Sequence, residues 1–586
     1  MYQQHYYVPK DSGTLTDTLI AFGAAKVIEE IVQLRTGRAN VVLHDNGSCF
    51  VVDAGTRIDP SWIEQITVFE QIPYLTSSKV PPPADLPGLA LRDIDAEWDR
   101  FRQYTEQRKQ LSERKMVGDE LENLLADLKP PPDWTVVTYL GDYRMQAQGI
   151  HNSLVEQWRR SSEVLLALNL RTLLAMFASL DADRDTLVAT WKQSAKAAGF
   201  DDTATASQLF NPHMGKGQNR AKANGLSMGN EKNFWLLDYL KAVGLWEAAA
   251  PRNATNADLR KTYILAPRQL ALNAHRTIFA RFREKLWNST SIKLDIMAAL
   301  LYTDTLLEYT IEAEQLEIFA QRSLSNLVTG MQVATYQLLS QNSYTMMNLS
   351  FLGLPNWMAQ VKSYRDARVY RDIVQEHIDR IGSIDEERSE GHTLLQTYRD
   401  FVAGNDLHRF YAFSAGYGSY LVSALERSAF YIKPFSEEKL ERLLTMTEPK
   451  LSPIIQSQGF RNVAEAIRRS TVIPQYIGRK SSNFDVRYGL GQELKRKAQY
   501  ADDFIQELAA FMHSYNEENA RVYERTKGQS RRKALTVNDI EEIVRLIDEY
   551  GSETICNLLV AFGYARDPRE KTDEQSLEPA APEPAG

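Results

Sequence analysis

An α+β fold, mainly helical, is what these 586 residues predict. The expected layout is an irregular α+β body over residues 1–430, an all-α helical bundle over 431–566, and a disordered tail over 567–586. Three observations lead there. Apolar residues recur at the spacing of amphipathic helices through most of the chain, above all beyond residue 270. One early stretch alternates about an Asn-Gly pair. The end is rich in proline and acid and holds little that could join a core.

Taken in order, Leu15 to Leu34 reads as an amphipathic helix that Thr14 or Thr16 could cap. "ANVVLHDNGSCFVVDAG" then alternates around Asn46-Gly47, a pair suited to a type I′ turn, so a β-hairpin is expected. "KVPPPADLPG" is a linker. A charged helix follows from about Asp93 to Leu128, ended by "KPPPDW". Residues 152–180 and 184–198 read as helices, as does "NFWLLDYLKAVGL"; "KTYILAPRQLAL" reads as a strand. From there the pattern is mostly helical to Phe562, with polar breaks near 343–356 and 380–392.

Composition bounds the function. At 43% hydrophobic and 25% charged residues, this is an ordinary globular chain. A net charge of −8 sets up no global field for nucleic acid. Cys49 and Cys556 are the only cysteines, which excludes a disulfide framework or a cysteine-built zinc knot and fits a reducing, cytoplasmic compartment. The N-terminus has no signal-peptide pattern and no apolar run suits a bilayer, so no membrane is expected.

Two cationic features stand out locally. Phe210 to Trp235 holds four glycines, five asparagines, three lysines, one arginine and one acid. Glycines let backbone N–H groups approach a ligand. Lys216, Arg220 and Lys222 could meet phosphates, and Gln218, Asn219 and Asn224 carry amides that can read base edges. The P-loop spacing is absent. The second feature lies between Lys450 and Lys533, with 16 Lys+Arg against 9 Asp+Glu. Arg468, Arg469, Arg479, Lys480, Lys495, Arg496 and Lys497 could line a phosphodiester strand, with Tyr476, Tyr488 and Tyr500 placed to stack on bases. The plainer expectation is a solvated face with Glu465, Glu493 and Asp502 as counter-charges.

Other motifs are weaker. His44-Asp45 has the order of an HD metal pair but lacks outlying ligands. Arg371 and His377 loosely fit the R-x(4–6)-H spacing of HEPN ribonucleases, in which they would act as phosphate clamp and acid/base. No catalytic triad, paired-carboxylate site or zinc-ligand pair is visible, and no cofactor is expected.

Three stretches together resemble the large subunit of type I CRISPR surveillance complexes (Cascade). They are "TLIAFGAAKVIEEI", Thr18 to Ile31; "FNPHMGKGQNRAKANGLSMGN" with "FWLLDYLKAVGLW"; and the helical run from Glu448 to Arg566. The resemblance implies a non-catalytic protein. It would read a short protospacer-adjacent motif in double-stranded target DNA, wedge the duplex and support the displaced single strand. Its partners would be the guide RNA with its backbone protein and other Cascade subunits, and a trans-acting helicase-nuclease or transposition proteins. Motif reading falls on Lys216, Gln218, Asn219, Arg220, Lys222 and Asn224, and strand support on the seven cations of the C-terminal segment. An internal start at Met446 would release a small subunit of about 140 residues. The rival expectations are a HEPN-like ribonuclease and a helical scaffold without nucleic acid.

Overall fold

The computed structural model describes residues 3–67, 69–114, 116, 119–205, 207–212, 232–312, 327–341, 343–355, 361, 363–404, 406–477 and 483–566. The chain is α+β and mainly helical, as expected. It divides into two compact units: Met1–Leu294 with Gln321–Leu354, and Asp295–Ala320 with Pro355–Gly586. The expected boundary at 430/431 falls inside the second of these units. The helices before residue 430 belong with those after it, because they share one aromatic core.

The first unit is built around α1 (Leu15–Thr36), which follows strand β1 (His5–Pro9). Thr14 caps α1, its side chain accepting from the Thr16 N–H, and Gly37 closes it in the left-handed conformation. β2 (Val42–Asp45) and β3 (Cys49–Asp53) form the expected hairpin. The turn differs from type I′: Gly47 has φ +81° while Asn46 does not reach positive φ, and Asp45 accepts the Gly47 N–H at 2.8 Å.

β4 (Tyr74–Thr76) and β5 (Leu91–Asp93) pair in parallel and lead into α2 (Ile94–Glu113), which Asp93 caps. The single charged helix expected here is two, since α3 (Asp119–Leu125) follows separately. Then come α4 (Trp134–Leu140), α5 (Gln148–Met176), α6 (Arg184–Ala197), β6 (Thr203–Thr205), β7 (Lys232–Phe234) and α7 (Trp235–Ala248). α1 lies tightly on α7. A methyl group on Gly23 would collide with the Leu240 carbonyl, and one on Gly244 with that of Leu19. Both helices are buried nearly all round, so their patterns read as continuous apolar runs.

β8 (Ala249–Ala254), β9 (Leu259–Pro267) and β10 (Gln269–Ala271) precede α8 (Leu272–Lys285). β10 extends the first sheet to the order β1-β3-β2-β10. α9 (Ser291–Glu312) runs across the division between units. β11 (Val328–Ser340) and β12 (Ser343–Gly353) then complete a second antiparallel sheet, β12-β11-β9-β8. β12 falls where a polar break was expected near 343–356, and β11 overturns the expectation of helix before it. Its β-branched and aromatic residues pair along β9, from Val328↔Pro267 to Gln337↔Leu259, and that long-range pairing decides their conformation.

The second unit is helical. α10 (Tyr364–Gly382) starts with a capping box from Ser363 and Asp366, and α11 (Ser389–Gly404) and α12 (Leu407–Glu426) follow. α13 (Glu437–Thr447), α14 (Ser452–Gln456), α15 (Gln458–Ser470) and α16 (Ile473–Ile477) lead to α17 (Leu490–Lys497) and α18 (Ala501–Arg525). α19 (Val537–Tyr550) and α20 (Ser552–Gly563) close the unit. α12 packs on α11 and α20, α15 on α19 and α20, and α17 on α18. Asn519 and Asn516, one turn apart on α18, hold the segment before α19 by pairing with the backbones of Arg532 and Leu535. Among the described residues no helix is long and apolar enough to cross a membrane.

Candidate nucleic-acid interface

α17 buries Leu490, Gly491 and Leu494, so Lys495 and Arg496 turn outward while Lys497, three residues after Leu494, lies nearer the buried face. Lys495, Arg496 and Lys497 form the last turn, where cations favour the negative end of the helix dipole. Lys495 and Arg496 are exposed and Lys497 half-buried. Lys495 Nζ donates to the Ala412 carbonyl at 3.3 Å, and Lys497 lies 3.7 Å from Asp503. Among the described residues Arg496 finds neither an ion-pair nor a hydrogen-bond partner. Tyr500, at 64% exposure, follows directly.

Arg468 does not join this face, which corrects the expectation for it. Only 3% of it is exposed; its Nη2 bonds Glu437 and donates to the Phe562 carbonyl at 2.9 Å. The guanidinium ties α15 to α13 and α20, so no phosphate reaches it. Arg469 is half-exposed but paired with Glu465 one turn earlier at 2.7 Å, the counter-charge expected on the plainer reading. For Lys497 the partner is Asp503 rather than Asp502. Arg479 and Lys480 lie outside the described residues.

The same unit carries a groove the sequence reading missed. Asn483, Phe484, Tyr488, Arg521 and Arg525, with the acids Asp485 and Glu518, line an open cavity of about 740 Å³ on the C-terminal half of α18. Among the described residues Arg521 makes no ion pair, and Arg525 donates to the Asn483 carbonyl at 2.7 Å. Below them the charges are matched: Glu518 takes Arg487 at 3.5 Å and Arg532 at 3.6 Å, and the Arg532 guanidinium sits 3.5 Å over the Phe484 ring. Arg521 and Arg525 stand one turn apart in the sequence, which was a readable signal. What hid the groove was its other wall, residues 483–488, brought in by tertiary packing. Tyr500 and Arg521 stand about 30 Å apart along α18, and the helix between them carries Asp502, Asp503, Glu507, Glu517 and Glu518 and no Lys or Arg, so the cations form two separate clusters.

Lys216, Gln218, Asn219, Arg220, Lys222 and Asn224 lie outside the described residues. The two ends of their segment are anchored beside α7. Asn211 Nδ2 meets the Asp238 carboxylate, and Lys241 donates to Asn211 and, at 2.9 Å, to Asp238. Burial raises the Asp238 pKa against the opposing pull of Lys241.

The remaining motifs resolve into structure. Asp45 is paired with Lys10 at 2.6 Å, and among the described residues no group of three or more His, Cys, Asp or Glu could hold a metal. Arg371 binds Asp304 at 3.0 Å and Glu308. His377 bonds the Tyr398 hydroxyl through Nδ1 at 2.7 Å and stacks on Phe410 at 5.1 Å. Burial, with the Arg380 and Lys439 charges, pushes its pKa down to about 3. A ring enclosed in this way and held neutral is no general acid for a substrate in solvent.

The fold and this surface define a class: a mainly helical α+β protein with a cationic face on its helical unit. No family model matches the chain, and no curated protein matches it.

Proposed function

We propose that the protein is a non-catalytic nucleic-acid-binding subunit, and that its assembly is a type I CRISPR RNA-guided surveillance complex in which it is the large subunit. One observation carries this reading. Among the described residues Lys495, Arg496, Arg521 and Arg525 make no ion pair, and Tyr488 and Tyr500 stand exposed beside them. Unpaired cations interleaved with aromatic rings suit a single strand, whose phosphates release counterions and whose bases stack. The displaced strand of an R-loop is such a ligand. The glycine- and asparagine-rich 213–231 segment remains the proposed reader of the duplex motif, and guide RNA with its backbone protein the proposed partner.

The test is salt-dependent binding of single-stranded DNA to the purified protein or its ribonucleoprotein. Replacing Lys495, Arg496, Arg521 and Arg525 with Glu should weaken binding for all sequences and flatten the plot of log K against log salt by about three units. Replacing Gln218 or Asn219 with Ala should change motif preference at an unaltered slope. Unchanged affinity in the fourfold variant, or association of the complex that ignores salt and retains no nucleic acid, would favour a helical scaffold instead. Short RNA copurifying with the native complex is the expected companion result.

A further inference from the structure

The first unit holds two deeply buried arginines that form no ion pair among the described residues, though the Asp133 and Glu247 charges act on Arg283. Arg252 is 4% exposed and Arg283 8%. Arg252 donates to the carbonyls of Leu286, Arg283 and Pro251 and to the Thr135 hydroxyl, each at 2.6 Å. Arg283 donates to the carbonyls of Ala249, at 2.9 and 2.5 Å, and Trp246, at 2.7 Å. Every partner is a neutral oxygen. Burial lowers both pKa values, to about 9 for Arg252 (helped by the Arg283 charge) and about 10 for Arg283, so both stay cationic at neutral pH.

Part of that charge is met by helix ends. Arg283 caps the carbonyl end of α7, and Arg252 that of α8. A helix C-terminus offers roughly half a negative charge. Two termini against two guanidiniums leave about one positive charge, which the Asp133 and Glu247 charges partly offset at Arg283 and which a bound anion would balance further. The nearest carboxylates are engaged elsewhere: Asp133 by Arg92 at 3.1 Å and Glu247 by Arg276 at 3.0 Å.

These two arginines line a cavity of about 250 Å³ that four aromatic rings and the Pro130–Pro132 run also wall. Phe101 stacks on Trp134 at 4.4 Å, and Tyr104 on Trp287 at 5.7 Å with the rings 1° from parallel. The exposed Arg108 guanidinium lies 5.4 Å over the Trp287 ring, and Lys129 at the rim is paired with Glu284 at 2.8 Å. The lining therefore carries four cations and one acid. Its volume falls short of the roughly 300–1,000 Å³ of drug-sized pockets, and a single base with one phosphate is of suitable scale.

We propose that this cavity binds one unpaired nucleotide, its base against Trp287 and its phosphate against Arg283 and Arg108. Flat aromatic walls and a cationic floor together recognise a planar ring that carries a phosphate, and neither alone would. The site lies wholly in the first unit and does not rest on the cationic face of the helical one. The nucleotide can be free or part of a strand; the chemistry is shared.

Calorimetric titration of the full chain tests this with AMP, adenosine and a 5′-phosphorylated hexanucleotide. AMP or the hexanucleotide should bind, with adenosine at least about tenfold weaker. Binding of AMP assigns a free nucleotide; binding of the hexanucleotide alone assigns a strand element. Trp287→Leu should abolish binding. Arg108→Ala, on the exposed surface of α2 and so without risk to the fold, should weaken it about tenfold. No heat with either phosphate ligand, adenosine binding as tightly as AMP, or full affinity in Arg108→Ala and Trp287→Leu would overturn the proposal and leave Arg252 and Arg283 as helix caps.

Discussion

Three histidines are built into the interior as neutral rings. His151 bonds the Pro73 carbonyl and His275 the Glu247 carbonyl, both at 3.0 Å, and His377 the Tyr398 hydroxyl. Burial pushes their pKa values down to about 4, about 3 and about 3. An unfolded histidine titrates near pH ~6.5. Below that pH the unfolded chain binds protons that the folded one refuses, so this contribution is complete above pH ~6.5 and lost as the pH falls toward the folded values. The loss is up to about 1.4 kcal/mol per pH unit for each histidine. Urea midpoints measured from pH 7.5 down to 5 should fall steadily; a flat profile would show that these rings are already protonated or solvated. At Arg468 the cost is of another kind. Arg468→Ala should destabilise the helical unit by about 1.5–3 kcal/mol through the lost bonds to Glu437 and Phe562, while single-strand affinity stays unchanged. A loss of affinity at unaltered stability would return this residue to the interface.

At the scale of elements, the contact of α1 with α7 is the tightest in the first unit. It depends on two residues without a Cβ, each lying under a carbonyl of the other helix. Gly23→Ala and Gly244→Ala should each cost at least about 1–3 kcal/mol by forcing the helices apart, read as a fall in thermal midpoint. Gly149→Ala is the control, since a Cβ there meets nothing within 4 Å. Much of the element map was legible. α1, the β2–β3 hairpin, α5, α6, α7 and β9 appear within a few residues of where periodicity and turn signals put them. The β11–β12 hairpin was not legible, because short apolar runs fit a helix or a strand equally until a partner strand is present. The break between α2 and α3 escaped notice for a similar reason: a charged helix shows little periodicity to interrupt.

At the scale of the molecule, the division into units bears on an internal start at Met446. That residue lies inside α13, and a chain beginning there would lack α12, against which α20 packs. A Cβ on Gly418 would lie 2.6 Å from the Tyr564 ring, so the missing helix fits closely there. The fragment 446–586 should therefore expose apolar surface, bind a hydrophobic dye and unfold without cooperativity. A soluble fragment with a sharp thermal transition would show that the bundle folds without its first helices.

Local order along the chain was enough to establish the helical character, most element boundaries and the concentration of positive charge between Lys450 and Lys533, since periodicity, capping and charge are properties of neighbouring residues. Which cations stay free was settled only by packing. Arg468 meets Glu437, 31 positions away; Arg252 meets Thr135, 117 away; Arg521 gains a groove because residues 483–488 return to α18. A charge is quenched or left open by whatever the fold carries to within about 4 Å of it, and that distance is written in no stretch of the chain.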